Sequence, residues 1–585
     1  MPPTSLTRRT FLSSAAAAAG GSLLWSPEMQ AETTVALPQP PAAATVASLL
    51  DGYIASYMTA MNAPGLTLAL TDKEKTVRTA GFGFADLDLR LPVSTDHLFQ
   101  IGSITKSFVG LVILQLRDEG KLDLHASVLD YLPGLPIVTG FGTVTVHHLL
   151  THSSGLPDNL SVFQSDPAAR LVQGFAPGEH FHYSNAGFDI LGLLAAKLDG
   201  RPWRIAVTER ILKPLGMDQT EPVLSPSILN RSATGYRPYR EDEVYPRQGR
   251  LAQAPTLVMD DTAGCIASSP GDMAIYARML LNRGKGPKGR IVSPESFALF
   301  STPHIKAPDF SPTASYGYGI AVDTLDGHKI LRHTGGMVAF ASSIHVDLDG
   351  GVAAFASINA MQGYRPTAVT EYSIRLLRAG AESKPLSPRP SIIDALDVDS
   401  AAGYAGTFTA PDGRKLVFEA QGKRLLLVDG ATSIPLQHAG GDSFISTVAG
   451  QHATYAVVFS RKTAAGASPQ NDPSPHQPVV EVAFGPEWYT TQNYNGPKSF
   501  RVPPEYALYT GRYYSDSAWG GETQIYILKD RLTLDGEPLV PLGGALFRAG
   551  EEQWVPETAE FLHVFEGKAR LLRVAGMDFW RIDVE

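Results

Sequence analysis

The chain has 585 residues, 44% of them hydrophobic and 18% charged, so it buries a large core, is not disordered as a whole, and spans several domains at roughly 150 residues each. Its net charge of −9 lacks the basic excess of a nucleic-acid binder. The single cysteine, Cys265, excludes an intramolecular disulfide and any multi-cysteine zinc or iron–sulfur site.

In chain order, Thr7-Arg8-Arg9-Thr10-Phe11-Leu12 precedes a weakly apolar run from Ala15 to Leu24. Paired arginines followed by such a run resemble a twin-arginine export signal, which implies a periplasmic or secreted protein. The alternative is a tail that happens to carry Arg-Arg. The run is too short, and too broken by Gly20 and Gly21, for a membrane span of about 20 residues; no later segment qualifies, so no transmembrane segment is expected. Residues 1–36 are read as export signal and tether, with Pro/Ala-rich sequence continuing to 45.

The globular pattern begins near Val46. Ala47 to Met61 predicts an amphipathic helix, Gly65 to Leu70 a buried strand, and Lys75 to Ala85 its hairpin partner. Helices are predicted over Phe108–Leu116, Ile190–Leu198 and Met273–Leu281, and strands over Ile344–Val346 and Val352–Ile358. Strands at both ends with helices between them predict an α/β (α+β) domain, 46–380, whose one sheet joins the two ends of its chain. A Pro/Ser-rich linker, 381–399, follows.

The remainder is short strands and Gly/Asp turns, and it repeats. Tyr404-Ala-Gly-Thr-Phe408 matches Tyr509-Thr-Gly-Arg-Tyr513, and Pro435-Leu436 matches Pro541-Leu542. Two small antiparallel all-β units are predicted, 400–500 and 505–585, of a size that suits meander barrels; a single irregular β domain is the alternative. Thr463–Pro478 reads as an insertion in the first unit.

Three motifs, each unique in the chain, carry chemistry. Ser103-Ile104-Thr105-Lys106 stands at the start of an apolar helix, one turn apart on one face. The positive end of the helix favours a developing alkoxide and disfavours a protonated lysine, which draws Lys106 towards a neutral base. A capping serine with a surface lysine is the bland alternative. Tyr183-Ser184-Asn185 falls on a turn before a helix. A tyrosine beside an ammonium is a proton shuttle, and an asparagine amide offers donor and acceptor to a peptide-like substrate. A core tyrosine beside a helix-capping Asn185 is the alternative. His333-Thr334-Gly335-Gly336 is read between strands 328–332 and 338–346, where glycines allow close backbone approach to a ligand or simply make a hairpin turn.

Together, in this order, the three motifs resemble the serine β-lactamase/penicillin-recognising superfamily, in the class C-like branch with D-alanyl-D-alanine carboxypeptidases, D-aminopeptidases and esterases. His148-Leu-Leu-Thr-His-Ser-Ser-Gly-Leu-Pro157, the segment Ala263–Ser269 followed by Asp272-Met273, and Tyr316-Gly-Tyr-Gly-Ile320 look like recurring segments of that family. The resemblance implies an acylated Ser103, proton transfer by Lys106 and Tyr183, and a substrate amide oriented by Asn185. It also implies a substrate-binding strand at His333, Thr334, Gly335 and Gly336, an oxyanion hole from the Ser103 and Gly336 amides, and C-terminal units that resemble appended lipocalin-like domains. It calls for no cofactor and no metal, and for a small-molecule or peptide substrate as partner. β-Lactamases of this type usually carry lysine where His333 stands, and a mostly neutral histidine gives no permanent charge for a β-lactam carboxylate. That departure favours a peptidase or esterase; a β-lactamase, or a penicillin-binding sensor that acylates without turnover, is the alternative. His148 and His152 have helical i, i+4 spacing, but no carboxylate partner completes a metal site.

Overall fold

The computed structural model describes residues 43–158, 162, 170–239, 250–360, 366–392, 394, 396–448, 455–462 and 477–582. The expected export signal and residues 463–476 of the expected insertion lie outside the described residues. Two compact units divide at 392/393.

Among the described residues, the first unit is built on a nine-stranded antiparallel sheet. Its strands in chain order are β1 (Gly65–Asp72), β2 (Thr76–Asp86), β3 (Leu91–Pro92), β4 (Ile305–Lys306), β5 (Ser315–Tyr316), β6 (Ala321–Leu325), β7 (His328–Met337), β8 (Phe340–Asp347) and β9 (Val352–Ile358). The spatial order runs β4 to β9 and then β1 to β3. The pairing of β9 with β1, Leu66 opposite Ile358, joins the two ends of the unit, as the sequence predicts.

Period-two alternation gives the sheet two faces. Leu66, Leu68 and Leu70 of β1, with Ala354, Ala356 and Ile358 of β9, pack under α1 (Ala43–Met61) and α5 (Thr367–Ala381) through Tyr53, Tyr57 and Tyr372. Ala69, Ala353 and Phe355 point the other way, into the core that holds α2 (Thr105–Asp118), α3 (Asn185–Asp199) and α4 (Pro270–Leu281). Helix α2 is apolar nearly all round, and residues Thr105 to Leu114 are all buried, so it runs through the core. Leu386 and Ile392 of the Pro/Ser-rich linker pack against the α1/α5 layer, so that stretch is partly docked.

The second unit holds two closed eight-stranded antiparallel barrels. The first runs from Gly406–Thr409 to Glu487–Thr490, the second from Gly511–Ser515 to Met577–Arg581. Each barrel core is filled with aromatic rings: Phe408, Phe418, Phe444 and Phe459 in the first, Tyr513, Phe547, Phe561 and Phe579 in the second. A Lys529–Glu481 ion pair links the barrels.

Candidate active site

A single 3₁₀ turn, Gly102–Ile104, leads into α2 and sets the site's first motif. Gly102 has φ +55°, and a Cβ there would sit 2.6 Å from the Gly336 nitrogen, so only glycine lets the turn lie against β7. Ser103 lies in this turn and caps nothing; Lys106 follows in the first turn of α2. The bland alternative of a capping serine and a surface lysine fails, because Ser103 is 7% exposed and Lys106 0%. Lys106 Nζ donates to Ser103 Oγ at 3.1 Å, Asn185 Oδ1 at 2.6 Å and the Ala263 carbonyl at 2.7 Å. Each ammonium hydrogen therefore has an acceptor. Burial lowers Lys106 to about 8, against the opposing pull of Asp158, Asp189 and Asp261.

Tyr183 is buried, with its ring centroid 4.8 Å from Lys106 Nζ. His152 stacks on it, centroids 4.1 Å apart and planes 28° apart. Ser184, rather than Asn185, caps α3: its hydroxyl accepts the Gly187 N–H at 3.0 Å and donates to the Pro157 carbonyl at 2.8 Å. That frees Asn185, the first residue of α3, to turn its amide inward. Its backbone N–H and its Nδ2 both donate to Asp158 Oδ1, at 2.9 and 2.8 Å.

The third motif differs from the sequence reading. His333, Thr334, Gly335 and Gly336 lie inside β7, not between two strands, and pair with Ile344 to Ala341 of β8. The glycines do not break the strand; they make room for the 3₁₀ turn. A Cβ on Gly335 would overlap the Ile101 carbonyl oxygen, which accepts the Ser342 hydroxyl at 2.7 Å. Thr334 is buried, and its hydroxyl has no hydrogen-bond partner among the described residues. His333 is 1% exposed. Its Nδ1 pairs with the Thr334 carbonyl at 2.7 Å, which puts the proton there and leaves Nε2 to accept from the Tyr316 hydroxyl at 2.8 Å. The imidazole is thus spent on protein partners, with Phe310 edge-on at 5.2 Å.

The motifs do not disclose four further residues that surround Lys106. His152 accepts the Ser184 N–H on Nδ1 at 3.0 Å, and burial, followed by the charge of Lys106, keeps it neutral. With that nitrogen committed, and His148 Nδ1 closing a capping box with Thr145, the i, i+4 histidine spacing is accounted for structurally. Asp158 directly follows the His148–Pro157 segment. Asp189 stands four residues after Asn185, a spacing that puts both on one helix face and that the sequence could have disclosed. Its Oδ1 accepts from Thr262 N at 3.0 Å and Ala263 N at 3.1 Å, and burial raises its pKa. Asp261 Oδ1 accepts from Gly264 N at 3.1 Å. Cys265 is buried, its thiol pushed up by burial and donating to the Pro222 carbonyl at 3.2 Å.

Residues 50–379 match the Beta-lactamase family. The chain is 25% identical over 381 residues to penicillin-binding protein 4* of Bacillus subtilis, spanning 59% of this chain and 79% of that protein. It is 26% identical over 316 residues to protein flp of Staphylococcus aureus strain MW2, spanning 51% and 60%. Among solved structures, the octameric penicillin-binding protein homologue from Pyrococcus abyssi aligns with TM-score 0.53 at 25% identity, over 76% of this chain and all of that one. A match over more than half its length shows that the chain belongs to the beta-lactamase family.

Proposed function

We propose that this β-lactamase-fold hydrolase is an exported serine hydrolase working through an acyl-enzyme on a peptide, amide or ester, D-amino-acid-containing substrates included. The observation that carries the reading is the buried 3.1 Å contact between Lys106 Nζ and Ser103 Oγ. A lysine with its pKa lowered to about 8 has an appreciable neutral fraction near neutral pH. The neutral amine takes the Ser103 proton as Oγ bonds to the substrate carbonyl carbon. The Ser103 and Gly336 amides hold the resulting oxyanion, and Tyr183 passes the proton to the leaving amine or alcohol as its bond breaks. Water then cleaves the ester by the reverse relay. Thr334, whose buried hydroxyl has no partner among the described residues, meets the substrate along β7. The names of the Bacillus and Pyrococcus relatives support penicillin as a probe of the acylated serine.

Ser103→Ala should abolish covalent labelling by a fluorophosphonate and by penicillin while the protein stays folded; labelling that survives on another serine overturns the assignment. For export by the twin-arginine route, residues 1–40 fused to a reporter that folds before export should deliver it to the periplasm. Arg8→Lys with Arg9→Lys should retain it, and unchanged export would point to another route.

A further inference from the structure

A lysine can act as the base for a serine only if its lone pair, and not an N–H, faces the hydroxyl. Neutral Lys106 has two hydrogens and one lone pair for three partners. Ser103 Oγ–H can donate. The other two, Asn185 Oδ1 and the Ala263 carbonyl, lie closer, at 2.6 and 2.7 Å against 3.1 Å. If both can only accept, they take both hydrogens and the lone pair is left to Ser103. A carbonyl always accepts. A side-chain amide does not, because a flip would present its NH₂ to Nζ.

Asp158 forbids that flip. Its Oδ1 receives the Asn185 Nδ2 hydrogen at 2.8 Å and the Asn185 backbone N–H at 2.9 Å, so the amide's NH₂ is claimed and its oxygen is turned to Lys106. Asp189 does the same service at the other acceptor. Its Oδ1 gathers the Thr262 and Ala263 N–H groups, at 3.0 and 3.1 Å, and the Thr262 hydroxyl at 3.2 Å. That fixes the peptide segment whose Ala263 carbonyl faces Nζ. The two carboxylates come from different parts of the chain, one from the segment before α3 and one from α3 itself.

The geometry points to Asp158 and Asp189 as a pair of positioning residues that aim the Lys106 lone pair at Ser103 by fixing its two other acceptors. This rests on the acyl-enzyme reading above. The groups facing Lys106 from the packed elements are Asp158, Asp189, Asp261, His152 and Tyr183. Each carboxylate also holds the ammonium form by its charge, so position and charge must be separated by experiment.

Alanine at 158 or 189 removes both the accepting oxygen and the charge. Asp158→Asn and Asp189→Asn keep an accepting oxygen where Oδ1 stands and remove only the charge. The readout is the second-order rate of fluorophosphonate labelling of the full chain across pH, with the melting temperature of each variant. The alanine variants should lose about ten- to a hundredfold of the high-pH plateau, because a reacting group misplaced by about 1 Å costs up to about a hundredfold in rate. The asparagine variants should keep the plateau within about threefold and move the acid limb to lower pH, because a negative charge near Lys106 is gone. Alanine variants that label at the wild-type plateau overturn the inference, and so do asparagine variants that fall as far as alanine. If an alanine variant does not fold, leucine at the same position, close to aspartate in shape but without an accepting oxygen, takes its place and should lose the plateau in the same way. Ser103→Ala is the control: labelling that survives it removes the acyl-enzyme reading and the inference with it, whereas Ser103-dependent labelling with unaltered aspartate variants removes the inference only.

Discussion

The two units bury different things. Around Ser103 the first unit buries a lysine, a carboxylate and two histidines, sets two half-buried carboxylates beside them, and brings backbone against backbone. The barrels bury rings: Phe459 lies within 4.9 to 5.7 Å of Tyr404, Phe408, Phe418 and Phe444, centroid to centroid. The glycines beside Ser103 differ from several at the barrel turns. Gly102 and Gly335 stand where a Cβ would strike backbone, whereas nothing lies within 4 Å of a Cβ at Gly403, Gly413, Gly422 or Gly430. A barrel core is held by apolar area, which tolerates exchange of similar volumes. The site is held by positions, where a single methyl group does not fit.

The largest expected effect tests the barrel half of that contrast. Phe459→Ala removes the ring that touches four others and should lower the stability of the barrel unit by about 3–5 kcal/mol, read as a drop in its urea midpoint. A loss below about 1 kcal/mol would mean that the rings do not carry the barrel. Gly335→Ala tests the other half. The added methyl group must push the Ile101 carbonyl away, which should cost about 1–3 kcal/mol and displace the Ser103 turn. A misplacement of about 1 Å at a nucleophile costs on the order of a hundredfold in rate. Ser103 labelling should fall by that much even below the melting transition, and wild-type labelling would break the claim that position holds the site.

The sequence discloses the two units by different routes. The barrels show through their repeat, Tyr404 against Tyr509 and Pro435 against Pro541, which identifies two alike units of short strands. Their closure, with Thr409 opposite Thr490 in the first barrel, depends on pairing across the whole unit and has no local mark. In the first unit, Ser103, Lys106, Tyr183 and Asn185 are legible because their spacing follows helix geometry and each motif is unique. The hydrogen bonds that unite them span 79 and 157 residues, and nothing in the sequence says that α2 threads between Asn185 and Ala263. Asp158 and Asp261 look like ordinary loop carboxylates until the fold brings them to one ammonium. Gly335 and Gly336 look like a turn because glycine weakens a strand, but close packing against Ile101 and Gly102 overrides that preference.

A smaller effect concerns pH. On the proposed mechanism labelling needs neutral Lys106, so its rate should rise with pH and flatten as the lysine loses its proton. Burial brings that point from 10.5 down to about 8, so the limb falls within an accessible range. Between about pH 6 and 7 the rate should climb close to tenfold, then by about fivefold to pH 8 and level off above it. A limb that keeps rising towards 10.5 would show that water reaches Lys106 and that the site is not closed as described.

The smallest effect is Gly403→Ala, and it bears most directly on how a glycine at the barrel entrance differs from those beside Ser103. Gly403 ends the 3₁₀ turn Ala401–Gly403 that enters the first barrel, its N–H bonded to the Ser400 carbonyl at 2.8 Å. It is exposed, and nothing lies within 4 Å of an added Cβ. Its φ is not among the positive values that reserve a position for glycine. The repeat supplies an internal control. Counted back from Tyr404 and Tyr509, the matching position in the second barrel is Leu508, which ends the 3₁₀ turn Pro504–Leu508 and carries a full side chain. Alanine at 403 therefore adopts the native backbone without strain, while the unfolded chain loses freedom that glycine had. The expected outcome is a gain of about 0.4–1 kcal/mol, seen as a higher urea midpoint at unchanged slope. A loss of the size expected at Gly335 would mean that a barrel glycine is also held by position, and the contrast between a unit fixed by backbone contact and one fixed by buried rings would fail at its simplest test.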